Sequence, residues 1–223
     1  MKNYDDLIDQ LATDLTPTPR IPNINAVAAG WLLLSAIYVI VMIHIFGPIR
    51  DNALTQLSTQ PRFLIETLTG LLAIVLMGYA AFKAAVPGAL NARLAKIATG
   101  LMALWLLSYV VGLFYPALEP SMLGKRDHCF TETFIYALPP KIAAFLLVRR
   151  MYPLNPLRTA LTLGLAAGML PALYMQIACM YSPSHILLFH ILPGFLVAFL
   201  GLALAASWLR WGPSSAKAQD WAG

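Results

Sequence analysis

The stretch that decides the fold is Ala26–Gly47, with the sequence AVAAGWLLLSAIYVIVMIHIFG. It contains no Asp, Glu, Lys or Arg. A membrane hydrocarbon core about 30 Å thick requires roughly 20 such residues, because an α-helix rises 1.5 Å per residue. This stretch therefore predicts a transmembrane helix.

Five further stretches have the same apolar character. They are Phe63–Val86, Ala95–Leu118, Cys129–Val148, Thr159–Tyr181 and His185–Leu209. The composition agrees, since 59% of the residues are hydrophobic and 11% are charged, whereas soluble domains carry about 25% charged residues. The sequence excludes a soluble or disordered chain and a nucleic-acid-binding domain. It predicts an all-α integral membrane bundle of six transmembrane helices.

The spans divide the chain into an N-terminal segment (1–25), a transmembrane domain (26–209) and a short tail (210–223). The N-terminal segment is polar and acidic, unlike a signal peptide. An even number of spans places both termini on one side. Of the 15 basic residues, Lys141 lies inside a span and only four fall in loops on the other side, namely Arg50, Arg62, Lys125 and Arg126. The positive-inside rule therefore predicts a multi-pass membrane protein with both termini in the cytoplasm.

The N-terminal segment predicts an amphipathic helix. Its apolar stripe consists of Leu7, Ile8, Leu11 and Leu15. The aspartates Asp5, Asp6 and Asp9 lie largely on other faces, and the helix should stop near Thr16-Pro17. A helix of about 12 residues is marginal on its own in water. We therefore expect it to dock on a partner, and its acidic face argues against an anionic membrane surface.

Both cysteines and all four histidines fall near the outer face in this topology. Cys129 lies 26 residues before Asn155, in the turn between the fourth and fifth spans, and Cys179 lies 24 residues after it. In an antiparallel pair of helices the two cysteines should lie at nearly equal depth. Because the periplasm is oxidising, they are candidates for a disulfide or for two reactive thiols. The alternative is two small buried hydrophobic residues.

Four side chains are candidates for a shell around these thiols, namely His128, Glu132, His185 and His190. On an α-helix, residues five apart are separated by about 140°, so the spacing argues against His185 and His190 holding one metal ion. The alternative for His185 is anchoring at the membrane interface. No metal is assigned, and a site of Cys179, His185 and His190 across the spans stays open as an option.

Four stretches of the sequence resemble a known family. They are DDLIDQLATDLTPTPR (Asp5–Arg20), QPRFLIE (Gln60–Glu66), AAVPG (Ala84–Gly88) and CMYSPSHILLFH (Cys179–His190). The chain resembles the six-span bacterial anti-sigma factors of the negative-regulator-of-sigma-F type.

This resemblance implies that the N-terminal segment binds an extracytoplasmic-function sigma factor. The residues it assigns to that contact are Asp5, Asp6, Leu7, Ile8, Asp9, Leu11 and Leu15. It also implies that Cys129 and Cys179 take part in sensing an envelope stress, such as an oxidant or a thiophilic metal. The expected partners are then a sigma factor and the lipid bilayer, with no direct contact to nucleic acid. No enzymatic activity and no cofactor are expected.

Other classes of membrane protein fit less well. Thiol-disulfide enzymes usually need a Cys-x-x-Cys-like pair, whereas the two cysteines here are isolated. A small transporter would show polar residues near the midplane of the membrane, where only Lys141 and the prolines lie. We expect Lys141 to extend its amine toward the cytoplasm. A membrane thiol-redox protein, a metal-binding protein and a small transporter stay as alternatives.

Overall fold

The computed structural model describes residues 4–13, 22–149, 151 and 153–211, and this part of the chain is all-α. The elements are α1 (Tyr4–Thr13), α2 (Ile24–Phe46), α3 (Ala53–Thr59), α4 (Pro61–Ala84), α5 (Ala92–Gly112), α6 (Cys129–Val148), α7 (Pro156–Ala178), α8 (Pro183–His185), a π-helical turn (Ile186–Ile191) and α9 (Leu192–Trp211). Six helical segments are long and apolar enough to cross a membrane: α2, α4, α5, α6, α7 and the continuous segment Pro183–Ala206. The predicted multi-pass bundle is confirmed.

The starts of several spans follow from their capping residues. The side chain of Asn23 accepts hydrogen bonds from the backbone N–H groups of Asn25 and Ala26, which satisfies donors that the first turn of α2 leaves unpaired. Asn91 and Asn155 cap α5 and α7 in the same way. The predicted fourth span matches α6, whereas α5 ends at Gly112, earlier than predicted.

The helix α7 forms the centre of the bundle and packs against α2, α4, α6 and α9. Its small residues let neighbouring backbones approach closely, as the Gly164–Gly168 spacing indicates. A Cβ atom at Gly168 would meet the carbonyl oxygen of Gly194 in α9. This contact holds the last span close against α7, which in turn places the residues at the start of that span beside the end of α7.

The outward surfaces of the spans are apolar. On α2, for example, Leu33, Leu34 and Ile37 are half or more exposed, as expected of side chains that face lipid. Lys141 lies against α7 and α9, and its amine donates a 2.7 Å hydrogen bond to the carbonyl of Ala160, near the start of α7. The Lys141 amine thus has a backbone partner within the bundle.

The N-terminal helix α1 covers Tyr4–Thr13, and the predicted stop at Thr16-Pro17 lies outside the described residues. Tyr4, Ile8 and Asp9 are exposed on it. Leu15 lies outside the described residues. Asp5, Asp6, Leu7 and Leu11 lie within α1, and their side chains lie outside the described part of the structure.

Candidate functional site

Two thiols meet at one end of the bundle. Cys129 is the first residue of α6, and Cys179 directly follows the last residue of α7. Both are buried free cysteines, and their Sγ atoms lie 3.1 Å apart. The prediction that the two cysteines lie at nearly equal depth is confirmed. We call this end of the molecule the cysteine end.

Two imidazoles complete the group around the thiols. One ligand atom from each of Cys129, Cys179, His185 and His190 lies within 4.8 Å of every other. The Nε2 atom of His185 is 3.6 Å from the Sγ atom of Cys179. We call these four residues the Cys₂His₂ cluster.

The predicted separation of about 140° between His185 and His190 is wrong. It assumed α-helical geometry, whereas Ile186–Ile191 form a π-helical turn in which the N–H of Leu192 bonds to the carbonyl of Leu187. A π-helix bonds i to i+5, so residues five apart fall on nearly the same face. The two imidazole rings lie 5.0 Å apart, centroid to centroid.

His190 is the most unusual member of the cluster. Its side chain is fully buried, and neither ring nitrogen has a hydrogen-bond partner among the described residues. Buried polar atoms are nearly always paired, because an unpaired one loses its hydration without compensation. His190 is therefore buried beside the Cys179 thiol and the His185 ring without a formed hydrogen bond among the described residues.

Arg126 connects the thiol pair to α2. Its backbone carbonyl accepts a hydrogen bond from the Cys129 thiol at 3.2 Å. Its guanidinium donates to the carbonyls of Ile43 and Pro48, at 3.1 and 3.0 Å, and to the Glu132 carboxylate at 2.7 Å. Gly47 lies against this guanidinium, with no room for a side chain. One buried residue thus joins the start of α6 to the end of α2.

The other two residues of the predicted shell lie outside the Cys₂His₂ cluster. Glu132 forms an ion pair with Arg126, and this pair is mostly buried. His128 is exposed at the residue before α6. The structure therefore brings together two of the four shell residues with the thiols, and gives Glu132 a structural partner instead.

Arg50 places a further positive charge near the cluster. Its side chain is buried, and its guanidinium faces the rings of Phe63 and Tyr181 at 5.4 and 6.0 Å. Burial lowers the pKa of Arg50, and the nearby Cys179 and Tyr181 oppose that shift. An arginine nevertheless stays protonated, so this cation favours a negative charge on Cys179.

Cys179 lies just beyond the end of the α7 span. Its hydrogen bond with Cys129 holds the pKa of the Cys179 thiol below its ordinary value, and burial opposes that effect. The nearby imidazoles of His185 and His190 also lower it. Cys179 is therefore the member of the pair that ionises first, and a thiolate is the reactive form of cysteine.

A second buried polar group lies next to the cluster. The Glu66 carboxylate in α4 accepts hydrogen bonds from Gln176 and from Tyr181, and Gln176 also bonds to Tyr109. These hydrogen bonds join α4, α5 and α7. Two of the bonded residues lie close to Cys179 in the sequence, Gln176 three residues before it and Tyr181 two residues after it. Gln176 was missed by the sequence reasoning, although an amide within an apolar span is a readable signal.

The reasoning from sequence also missed Arg126 and Arg50 as parts of the site. Both were counted as loop charges that report topology, yet both are buried. The readable signal for Arg126 is its position three residues before Cys129 and six before an acidic residue. The burial of Arg50 has no comparable local signal.

The fold and this site define a multi-pass α-helical membrane protein with a buried thiol pair at one end. A model of the family described as negative regulator of sigma F (NrsF) matches residues 11–211. The chain belongs to this family and is a negative regulator of a sigma factor, which makes a sigma factor its partner. A comparison with curated proteins and one with solved structures found no match.

Proposed function

We propose that the chain is an anti-sigma factor of the bacterial inner membrane that holds an extracytoplasmic-function sigma factor through residues 1–25. An envelope signal, an oxidant or a thiophilic metal, reacts with Cys129 and Cys179 and releases the sigma factor. The observation that carries this proposal is the 3.1 Å approach of the two Sγ atoms at the cysteine end. Two thiols this close can react together, either by forming one disulfide or by binding one metal ion.

The character of α1 supports its role as the sigma-binding element. The helix combines an apolar stripe with aspartates, and Tyr4 and Ile8 are 77% and 60% exposed. Sigma factors bind DNA and so present basic surfaces, which an acidic amphipathic helix can complement. The family match begins inside this helix, at residue 11.

The distribution of charge supports cytoplasmic termini. Two of the four basic residues assigned to the periplasmic side, Arg50 and Arg126, are buried. Arg126 is hydrogen-bonded within the protein, and the Arg50 guanidinium faces aromatic rings. The remaining two, Arg62 and Lys125, leave that side with few free positive charges. The positive-inside rule then favours the opposite side as the cytoplasmic one.

The chemistry of the pair allows a reversible switch. With a hydroperoxide as oxidant, a Cys179 thiolate attacks the peroxide oxygen, the O–O bond breaks with loss of the alcohol, and Cys179 becomes a sulfenic acid. The Cys129 thiol then attacks the Cys179 sulfur and displaces its oxygen as water, which forms the disulfide. The electron pair of the two thiols reduces the peroxide to an alcohol and water, which also take up the two thiol protons. The new S–S bond is about 2.05 Å long, so the sulfurs must move together by about 1 Å.

Such a movement has a direct route to α2. The Cys129 thiol bonds to Arg126, and Arg126 bonds to the carbonyl of Ile43 in the last turn of α2. At its other end α2 begins at Ile24, next to the sigma-binding segment. A shift of α6 at Cys129 is therefore applied to the one span that leads into that segment, as a small rigid-body displacement.

The direct test of sigma binding is a double substitution in α1. With Leu7→Asp/Leu11→Asp, a co-expressed extracytoplasmic-function sigma factor from the same genome should leave the membrane fraction, and its target genes should be transcribed constitutively. The control is Gln10→Asp/Thr13→Asp, which adds the same charge away from the apolar stripe and should retain the sigma factor. Retention by the Leu7/Leu11 variant would refute the assignment of the segment.

A further inference from the structure

We propose that the Cys₂His₂ cluster is a binding site for one soft divalent metal ion, Zn²⁺ or Cd²⁺, held by Cys129, Cys179, His185 and His190. The claim that this ion is a signal rests on the proposed function. The claim that the ion binds rests only on the geometry of the cluster. The four ligand atoms already lie within 4.8 Å of one another. They come from three separate elements, the start of α6, the end of α7 and the last span.

The donor set is suited to such an ion. Two thiolates and two imidazoles are a tetrahedral set that Zn²⁺ accepts, with bonds of about 2.3 Å to sulfur and about 2.0 Å to nitrogen. In a tetrahedron of that size the donor atoms are roughly 3.3–3.8 Å apart. The structure gives 3.1 Å between the two Sγ atoms and 3.6 Å between Cys179 Sγ and His185 Nε2. Side-chain adjustments of less than about 1 Å would open room for the ion.

His190 supplies the second, independent observation. It is fully buried at the cluster with both ring nitrogens unpaired among the described residues. A bound ion would give one of these nitrogens the partner that the protein does not. An ordinary buried histidine would instead be expected to hydrogen-bond to a neighbouring backbone or side chain.

The π-helical turn is the local device that builds the site. Such turns account for well under 1% of residues in proteins and occur frequently at functional sites. Here the turn falls between the two histidines and brings His185 and His190 onto one side of the last span. In a regular α-helix the two rings would point about 140° apart.

Charge balance favours a divalent soft ion over a hard one. On binding, each of Cys129 and Cys179 loses its proton to solvent, and the two thiolates neutralise the two positive charges of the ion. The occupied cluster is then neutral, which suits a buried position. None of the four ligands supplies an oxygen atom, so Ca²⁺ and Mg²⁺ are poor occupants.

Occupancy and oxidation exclude each other at this site. An ion bound by both thiolates commits the sulfur lone pairs that a disulfide would require. A bound ion should therefore protect the pair from peroxide, and a disulfide should abolish metal binding. The same two thiols thus respond to two kinds of signal by different chemistry.

The test is a titration of the reduced full-length protein in detergent with Cd²⁺, followed by thiolate-to-cadmium charge-transfer absorption and by cadmium NMR. We expect one ion per chain, release of the protons that the two thiols still carry, and a chemical shift typical of two sulfur and two nitrogen ligands. His190→Gln and His185→Gln should each weaken binding by at least about tenfold. The matched controls His44→Gln and His128→Gln alter histidines outside the cluster and should bind as the original does.

Two outcomes would overturn the site, and a third would separate it from the signalling role. One is unchanged affinity in both His185→Gln and His190→Gln, which would leave only a thiol pair. The partly exposed His185 keeps the test informative if the His190 variant does not fold. If no Cd²⁺ binds while peroxide still releases the sigma factor, the metal site is refuted and the proposed function survives. If Cd²⁺ binds through all four ligands but sigma retention never changes, the site stands and the signalling role fails.

Discussion

The guanidinium of Arg126 donates a 3.1 Å hydrogen bond to the carbonyl of Ile43, across 83 residues of sequence. The same residue accepts a hydrogen bond from the Cys129 thiol and forms an ion pair with Glu132. A buried guanidinium that satisfies a free helix-end carbonyl and a carboxylate together is a strong contact. It joins the end of α2 to the start of α6, so a displacement of the thiol pair should also displace α2.

Arg126→Gln should destabilise the protein by about 3–5 kcal/mol, because it leaves the mostly buried Glu132 carboxylate without its cation. The measurement is thermal unfolding of the purified protein in detergent. The control is Lys125→Gln, which removes the neighbouring exposed positive charge and should have little effect. The double variant Arg126→Gln/Glu132→Gln should recover part of the loss, because no unpaired charge remains. An Arg126→Gln variant as stable as the original would contradict the role of this contact.

The closeness of the two sulfurs predicts that mild oxidation joins Cys129 to Cys179 within one chain. The product is an intramolecular disulfide, measured by mass spectrometry of the peptides before and after reduction. Cys129→Ser and Cys179→Ser serve as paired controls and should not form it. A mixture of intermolecular dimers with no internal link would show that the thiols do not face each other in solution.

The contact between Gly168 and Gly194 predicts a specific packing defect. Gly168→Ala places a Cβ atom against the Gly194 backbone, which should push α9 from α7 and cost about 1–3 kcal/mol. Because α9 continues the segment that carries His190, the substitution should also weaken Cd²⁺ binding. The matched control is Gly100→Ala, where a Cβ would meet open space and where alanine favours the helix. Equal stability of the two variants would argue against the close approach.

The topology predicts opposite results for two reporter fusions. A reporter of cytoplasmic location fused after Gly223 should be active, and the same reporter inserted after the exposed Met122, in the loop between α5 and α6, should be silent. A reporter that requires the periplasm should give the reverse pattern. Activity of the periplasmic reporter at the C-terminus would place the cysteine end in the cytoplasm and remove its access to envelope signals.

The sequence was sufficient for the spans and for the position of the thiols. Membrane solvation forces each span to be a long apolar helix, so the six hydrophobic stretches could be identified without any knowledge of tertiary contacts. The equal depth of Cys129 and Cys179 follows from counting residues along an antiparallel pair of helices. Both arguments depend only on helical rise.

The details of the site required tertiary structure. The π-helical turn that aligns His185 with His190 inserts an irregularity that hydrophobic periodicity does not encode, and this is why the 140° argument failed. Arg126 is buried where the distant carbonyl of Ile43 accepts its hydrogen bond. Arg50 is buried against the ring of Phe63, and its guanidinium has no hydrogen-bond partner among the described residues. Contacts of that kind depend on the packing of whole spans rather than on local sequence.

In the proposed mechanism, the thiol pair at one end of the bundle controls sigma binding at the other. The most direct measurement is the affinity of the full-length protein in lipid nanodiscs for its extracytoplasmic-function sigma factor, before and after treatment with hydroperoxide. Oxidation should weaken binding by at least about tenfold. Cys129→Ser/Cys179→Ser should bind the sigma factor equally before and after treatment. Unchanged affinity of the original protein after complete disulfide formation, or an equal loss in the cysteine-free variant, would contradict it.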